Sequence, residues 1–180
     1  MVKRLSELLK EYPTKHKINC LVKEGTLYNI EKGIYSDRSD PSEVEVVLAK
    51  YPNAVLTLES AYYYYQLSDE LPGEYHLATD RKAAKINDVR VVQLYVPTGT
   101  LLIGVDEIDV FGEHLRIYDR ERLLIETMRY RTKLPYDLYR EVISNYRTRI
   151  GELDPAKITD YLDKFPKRNM IERILDEEVF

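Results

Sequence analysis

Hydrophobic residues recur at helical spacing near the start of the chain and predict two short helices. Leucines spaced along residues 5–9 indicate the first helix. Pro13 ends that helix, because the residue before a proline disfavours helical geometry. Thr14 is a suitable N-cap for a second helix running to residue 24, and Gly25 is a suitable C-terminal stop.

Two short hydrophobic segments follow the second helix and predict a hairpin. They cover residues 26–30 and 33–35 and flank Glu31 and Lys32. Two helices followed by a small hairpin is the outline of a winged helix-turn-helix. In a helix-turn-helix the second helix lies in the DNA major groove, and here we expect the basic wing to touch phosphates.

In the rest of the chain the spacing of the hydrophobic residues changes twice. The pattern predicts helices over residues 42–50 and 57–66, then alternating strands, then helices again up to residue 177. The predicted strands cover residues 75–79, 89–96, 101–109 and 114–118, and the later helices cover residues 120–131, 136–149, 155–164 and 167–177. We therefore expect an α+β protein. A small winged-helix-like unit over residues 1–40 precedes an α+β domain over residues 41–180 that ends in a helical bundle.

Composition restricts the kind of protein. The chain has 180 residues, and 44% of them are hydrophobic, enough for a core. A single cysteine, Cys20, excludes an internal disulfide and a multi-cysteine metal site. No segment has the length and apolar character of a membrane span or a signal peptide. These features predict a cytoplasmic protein with no membrane partner.

Charge is segregated along the chain, although the net charge is only −4. Residues 1–40 carry a net +2 and residues 120–149 a net +4, while residues 41–119 carry −7 and residues 150–180 carry −3. Basic segments on an acidic body favour nucleic-acid binding, because Lys and Arg beside phosphates release counterions. The alternative is that these charges form the solvated faces of ordinary helices.

The second basic segment predicts a further basic surface across two helices. Helical spacing groups Arg122, Arg129 and Lys133 on one helix, and Arg140 with Arg147 on the next. Such a surface would hold nucleic acid, or dock the acidic middle of the same chain.

Three sequence segments, in the same order, resemble the AbiEi family of antitoxins. The first is LVKEGTLYNIEKGIY at residues 21–35, which is similar to the family's recognition helix and wing. The second is LESAYYYYQLSD at residues 58–69, followed by the strand EYHLAT at residues 74–79. The third is DRERLLIETMRYRTK at residues 119–133, which resembles the family's Glu-Arg-Thr-Leu-Leu-Asp segment and the Arg-Tyr that follows it.

The resemblance implies a non-enzymatic antitoxin of a type IV toxin–antitoxin or phage-defence system. It implies repression of the protein's own operon through the winged helix, and antagonism of a nucleotidyltransferase toxin without a stable complex. It implies no cofactor and no small-molecule substrate. The family's winged helix begins with an additional helix, and only residues 1–4 precede the first helix here. We therefore expect a reduced winged helix.

The candidate DNA contacts lie on the polar side of the second helix and in the wing. Lysines are expected to contact phosphates, and Asn19 is the candidate base reader because asparagine pairs well with adenine. The predicted contacts are Lys15, His16, Lys17, Asn19 and Lys23 on the helix, and Asn29 and Lys32 in the wing.

Two other function classes remain open at the level of sequence. One is a protein-interaction module that has lost DNA binding, suggested by the reduced winged helix. The other is a metal-dependent nuclease using Glu107 and Asp109, although a polar edge strand explains these carboxylates more simply. No phosphate-binding glycine loop and no nucleophile elbow is present. We therefore predict no catalytic residue and no metal site.

Overall fold

The computed structural model describes all 180 residues and has a mixed α+β fold with two separate sheets. This confirms the predicted fold class, including the helices at the C-terminal end. The chain divides into two compact units. The first comprises Met1–Asn53 and Ile108–Leu115, and the second comprises Ala54–Glu107 and Arg116–Phe180.

The first unit is a three-stranded antiparallel sheet with three helices. Its sheet has the order β1-β3-β2. The elements are β1 (Val2–Arg4), α1 (Leu5–Glu11), α2 (Lys15–Lys23), β2 (Tyr28–Glu31), β3 (Ile34–Ser36) and α3 (Glu43–Lys50). The core joins Leu8 of α1, Ile18 of α2 and Tyr35 of β3, all of them buried.

Strand β1 and the placement of α3 were not predicted. Lys3 of β1 pairs with Tyr35 of β3, so the segment before α1 is the third strand of the sheet. A strand of three residues, two of them charged, carries no readable alternation. Helix α3 contacts β1 and β3, and the first unit therefore extends past residue 40 to Asn53.

The second unit combines a five-stranded mixed sheet with five α-helices. The sheet has the order β6-β5-β4-β8-β7, with β4 antiparallel to β5 and parallel to β8, and β5 parallel to β6. The strands are β4 (Val55–Leu56), β5 (Tyr75–Asp80), β6 (Val91–Val96), β7 (Val105–Val110) and β8 (Glu113–Tyr118), of which the β7–β8 tip over residues 108–115 groups with the first unit. The helices are α4 (Leu58–Tyr64), α5 (Arg120–Tyr130), α6 (Tyr136–Thr148), α7 (Pro155–Leu162) and α8 (Arg168–Glu178).

The predicted helices of the second unit form within a few residues of their expected ends. Asp119 caps α5 by accepting from the backbone N–H of Arg122, and Asp154 caps α7 in the same way. The strand predicted over residues 101–109 begins later, at Val105, because Gly104 has a positive φ of 68° and turns the chain there. None of the helices has the length and apolar character needed to cross a lipid bilayer.

Candidate nucleic-acid interface

Helix α2 is fixed in the first unit by its cap and by one fully buried side chain. The Thr14 hydroxyl accepts from the backbone N–H of Lys17 at 3.3 Å, which satisfies a free donor of the first turn. Ile18 is 0% exposed, and Leu21 and Val22 on the same side are half-buried. With 3.6 residues per turn, burying this side turns the opposite side of α2 to solvent.

The exposed side of α2, here called the polar face, carries every helix residue predicted to contact DNA. Its members are Lys15, His16, Lys17, Asn19 and Lys23, all exposed. His16, Asn19 and Lys23 lie near its centre, because their helical positions are 60° apart or less at 100° per residue. Lys15 and Lys17 flank this centre. The face therefore offers an amide between lysines, with no acidic residue on the helix itself.

A contact inside the polar face joins His16 and Cys20. The Cys20 Sγ and the His16 Nε2 are 3.7 Å apart, one helical turn from each other. The contact lies at the i, i+4 spacing that brings side chains together on a helix surface, and this spacing is its only sequence signal.

The wing, formed by β2, β3 and the turn between them, exposes its predicted lysine. Glu31 pairs with Ile34 across a two-residue turn, and Gly33 has a φ of 81°, a conformation that glycine adopts without strain. Lys32 is exposed at the turn. Asn29 is also exposed, and its side-chain amide donates to the Glu31 carbonyl at 3.2 Å. Asn29 therefore supports the turn as well as facing solvent.

The acidic residue of the wing is paired with a lysine of the same unit. The Glu31 carboxylate lies 3.3 Å from the Nζ of Lys50 in α3. This ion pair offsets the one acidic charge beside Lys32. The exposed charge of the wing is consequently positive, as phosphate binding requires.

The prediction that Arg122 belongs to the second basic surface is wrong, because Arg122 is buried. Its side chain is 0% exposed and its guanidinium lies 4.3 Å from the ring centroids of both Tyr118 and Phe165. It donates to the carbonyl oxygens of Thr100 at 2.7 Å and Ile103 at 3.2 Å. Helix α5 is buried on all sides from residue 121 to residue 128, so spacing alone misidentified its solvent side.

The remaining four residues of that surface lie in different surroundings. Arg129 is half-buried and Lys133 exposed, and both line a cavity described below. Arg140 is exposed with its guanidinium 5.6 Å from the Tyr136 ring centroid. Arg147 is exposed and donates to the backbone carbonyl of Glu178 at 2.8 Å.

Other cations of this region pair with acidic residues near the C-terminus. Arg131 contacts the Glu178 carboxylate at 2.8 Å, and Arg120 forms an ion pair with Glu152. Both partners belong to the acidic segment 150–180 and not to the acidic middle of the chain.

The second unit contains a cavity of about 750 Å³ that sequence reasoning did not find. Its walls come from α4, β5, β6, the loop after β5 and the end of α5. Charged and polar side chains at the cavity include Glu59, His76, Arg81, Arg129 and Lys133. The His76 Nε2 lies 3.8 Å from a Glu59 carboxylate oxygen, and burial lowers the pKa of His76, outweighing the attraction of Glu59. No sequence motif joins segments so far apart.

The carboxylates suggested for a nuclease lie in strand β7. Glu107 and Asp109 are both exposed, and one Asp109 oxygen lies 2.9 Å from the Nδ1 of His114. No group of three or more His, Cys, Asp or Glu side chains is arranged to hold a metal ion. Asp109 instead pairs across its own hairpin.

Comparison with known proteins identifies a similar fold. No family model and no curated protein matches the chain. A similar solved structure is that of the RV2827C protein from Mycobacterium tuberculosis, with a TM-score of 0.62 and 15% sequence identity. The match covers 99% of this chain and 72% of that chain. At this identity the similarity shows the fold alone.

Proposed function

We propose that this protein binds double-stranded DNA through α2 and the wing, and that it is an antitoxin that represses its own operon. The observation that carries the DNA-binding part is the polar face of α2. The side of the helix that carries Ile18 packs into the core. On the exposed side, three lysines surround Asn19 and His16. This is the side-chain set that positions a helix on phosphates and reads a base edge.

The wing extends the same chemistry beyond the helix. Lys32 is exposed at its turn, and Glu31 is paired with Lys50, so the wing presents positive charge. If these four lysines contact phosphates, the affinity for DNA should fall steeply as salt rises. The fall becomes steeper with each phosphate contact. The first forty residues carry eight Lys and Arg against six Asp and Glu, which favours contact with a polyanion.

The antitoxin part of the proposal rests on the sequence resemblance to the AbiEi family. Three segments that resemble this family follow one another over residues 21–133, and the third forms the helix α5. The proposed partner is a nucleotidyltransferase-like toxin, antagonised in the cytoplasm without a stable complex. DNA binding is assigned to the first unit and antagonism to the second.

A reporter assay tests the repressor part. The region upstream of the gene drives a reporter in the presence of the intact chain, of Lys15→Ala/Lys23→Ala, or of the control Lys85→Ala/Lys164→Ala. Both pairs remove two exposed lysines, so net charge changes equally. We expect repression by the intact chain and the control, and its loss with the α2 variant. Equal repression by all three would refute the assignment to α2.

A growth assay tests the antitoxin part separately. The chain is expressed together with a nucleotidyltransferase-like toxin encoded beside it. We expect growth to be restored both by the intact chain and by Lys15→Ala/Lys23→Ala, because antagonism is assigned to the second unit. Persistent toxicity with the intact chain would contradict the antitoxin role and favour a different interaction partner.

A further inference from the structure

The cavity of about 750 Å³ in the second unit has the size and composition of a small-molecule site. Strand β6 forms one wall, and the C-terminal end of α5 forms another. The residues proposed to contact DNA do not line it. Its walls combine an apolar surface with a small number of charged groups, which is typical of ligand sites.

Positive charge exceeds negative charge at this cavity. Arg81, Arg129 and Lys133 line it, and Glu59 is the only acidic residue that does. Burial lowers the pKa of His76, so this side chain carries less positive charge than an exposed histidine would. The side chains that line the cavity therefore carry a formal net charge of about +2, which attracts an anion.

The cations are only partly neutralised by their neighbours. One Glu126 carboxylate serves two guanidiniums, that of Arg122 at 2.6 Å and that of Arg129 at 2.5 Å. Its single negative charge leaves one positive charge of the pair uncompensated. Lys133 makes a cation–π contact with its Nζ 5.1 Å from the Tyr130 ring centroid. Arg81 is exposed, and no ion pair engages its guanidinium.

The same cavity offers apolar and aromatic surface beside these cations. Leu58, Leu94 and Leu134 line it, together with Tyr95 and Tyr130. A bare inorganic ion would use the cations and leave this surface wet. A ligand with an anionic head and an apolar or planar body would use both.

We infer that this cavity binds a small phosphate ester. Its phosphate would be held by Arg81, Arg129 and Lys133, and its organic body would lie against Leu94 and Tyr130. Arginine and lysine are the usual partners of phosphate, arginine through a fork of donors and lysine as a point charge. The inference concerns the second unit alone and does not depend on DNA binding by α2.

Calorimetric titration of the full chain tests the inference with phenyl phosphate and adenosine monophosphate as probes. Inorganic phosphate and adenosine, the two parts of adenosine monophosphate, serve as the half-ligands, and inorganic phosphate is also the reference for phenyl phosphate. We expect saturable binding of one ester per chain for at least one of the two probes, tighter than either half-ligand. Absence of saturable binding by both esters would overturn the inference, as would adenosine binding as tightly as adenosine monophosphate.

Charge variants test whether this cavity is the site. Arg81→Met and Lys133→Met should each weaken binding of the ester by roughly tenfold or more, because each removes a charged hydrogen-bond donor. Glu59→Gln should strengthen it several-fold, since it removes the one acidic charge at the cavity. Lys164→Met removes an exposed lysine outside the cavity and should leave the affinity unchanged.

The opposite signs of these effects separate a site from a folding defect. A variant that merely fails to fold loses binding, whereas Glu59→Gln is expected to gain it. Equal affinities of the intact chain, Arg81→Met and Lys133→Met would overturn the assignment to this cavity. A loss of affinity in Lys164→Met as large as in Lys133→Met would do the same, because it would indicate diffuse attraction to the whole surface.

Discussion

The guanidinium of Arg122 donates two hydrogen bonds to one carboxylate oxygen of Glu126, at 3.0 Å from Nε and 2.6 Å from Nη2, with both side chains buried. The two residues are one turn apart on α5. Nη1 of Arg122 donates to the backbone carbonyls of Thr100 and Ile103, and Nη2 also donates to the Tyr118 hydroxyl at 3.4 Å, so the charge is fully coordinated inside the second unit. This coordination is structural and leaves no donor for a nucleic acid.

Removing the arginine should strongly destabilise the protein. We expect Arg122→Met to lower the free energy of unfolding by about 2–4 kcal/mol, because it removes the charged donor from the carbonyl oxygens of Thr100 and Ile103 and one of the two cationic partners of the buried Glu126. Urea denaturation measures this. The double variant Arg122→Met/Glu126→Met should be less destabilised than the sum of the two single variants. A cost below about 1 kcal/mol for Arg122→Met would contradict a structural role.

Gly104 is predicted to tolerate no side chain. Its φ is 68°, and a Cβ there would lie 2.5 Å from the Cβ of Arg122. We expect Gly104→Ala to lower the free energy of unfolding by about 2–4 kcal/mol through the left-handed conformation and the steric overlap. The matched control is Gly151→Ala, where a Cβ meets no atom within 4 Å. Equal unfolding midpoints of the two variants would show that the turn relaxes freely.

Stability should fall below neutral pH, in part because of His76. Burial lowers its pKa from the usual 6.5, with Glu59 and Glu74 opposing the shift. As the pH drops below 6.5, the unfolded chain binds a proton that the folded protein resists, so folding weakens. The contribution of His76 to the free energy of unfolding is fully present above pH 6.5. It is lost as the pH falls towards the pKa of His76 in the folded protein, by at most about 1.4 kcal/mol per pH unit.

The variant His76→Gln should lose this part of the pH dependence. Urea denaturation of both proteins at pH 7.5 and pH 5.5 makes the comparison. We expect the intact chain to lose more stability than the variant between the two values. Identical losses would mean that His76 titrates alike in the folded and unfolded states.

Asn19 should control which DNA sequence is preferred and not how tightly DNA is held. Its side chain is exposed near the centre of the polar face of α2, whereas the lysines around it supply charge. We expect Asn19→Ala to reduce the preference for operator over scrambled duplex by about tenfold, the effect of losing one base contact. Affinity for the scrambled duplex should remain unchanged, and a parallel loss on both duplexes would make Asn19 a phosphate contact.

The helices and the polar face of α2 were predictable, because both depend on local spacing. Leu8 and Ile18 mark buried sides, and Thr14 is the cap that the local sequence predicts. The exposure of Lys23 follows from the burial of Ile18, because the two positions are about 140° apart around the helix. Strands β1 and β4, of three and two residues, escaped prediction because an alternating pattern needs more positions.

The surroundings of α5 and the cavity were not predictable from spacing. Helical period places Arg122 and Arg129 on one side of α5, but it does not say whether that side faces water or Phe165. The cavity brings Glu59, Arg81 and Lys133 together from distant segments. Only the assembled sheet and helices create that proximity.

The most direct test of DNA binding is fluorescence anisotropy of the purified chain on labelled duplexes over a salt series. One duplex comes from upstream of its own gene, and the other has the same composition in scrambled order. We expect tighter binding to the first duplex, and we expect this binding to weaken as salt rises. In Lys15→Ala/Lys23→Ala the slope of log affinity against log salt concentration should be shallower by about 0.9 for each phosphate contact that is lost. Equal weak binding to both duplexes, unaffected by those substitutions, would contradict a DNA-reading role for α2.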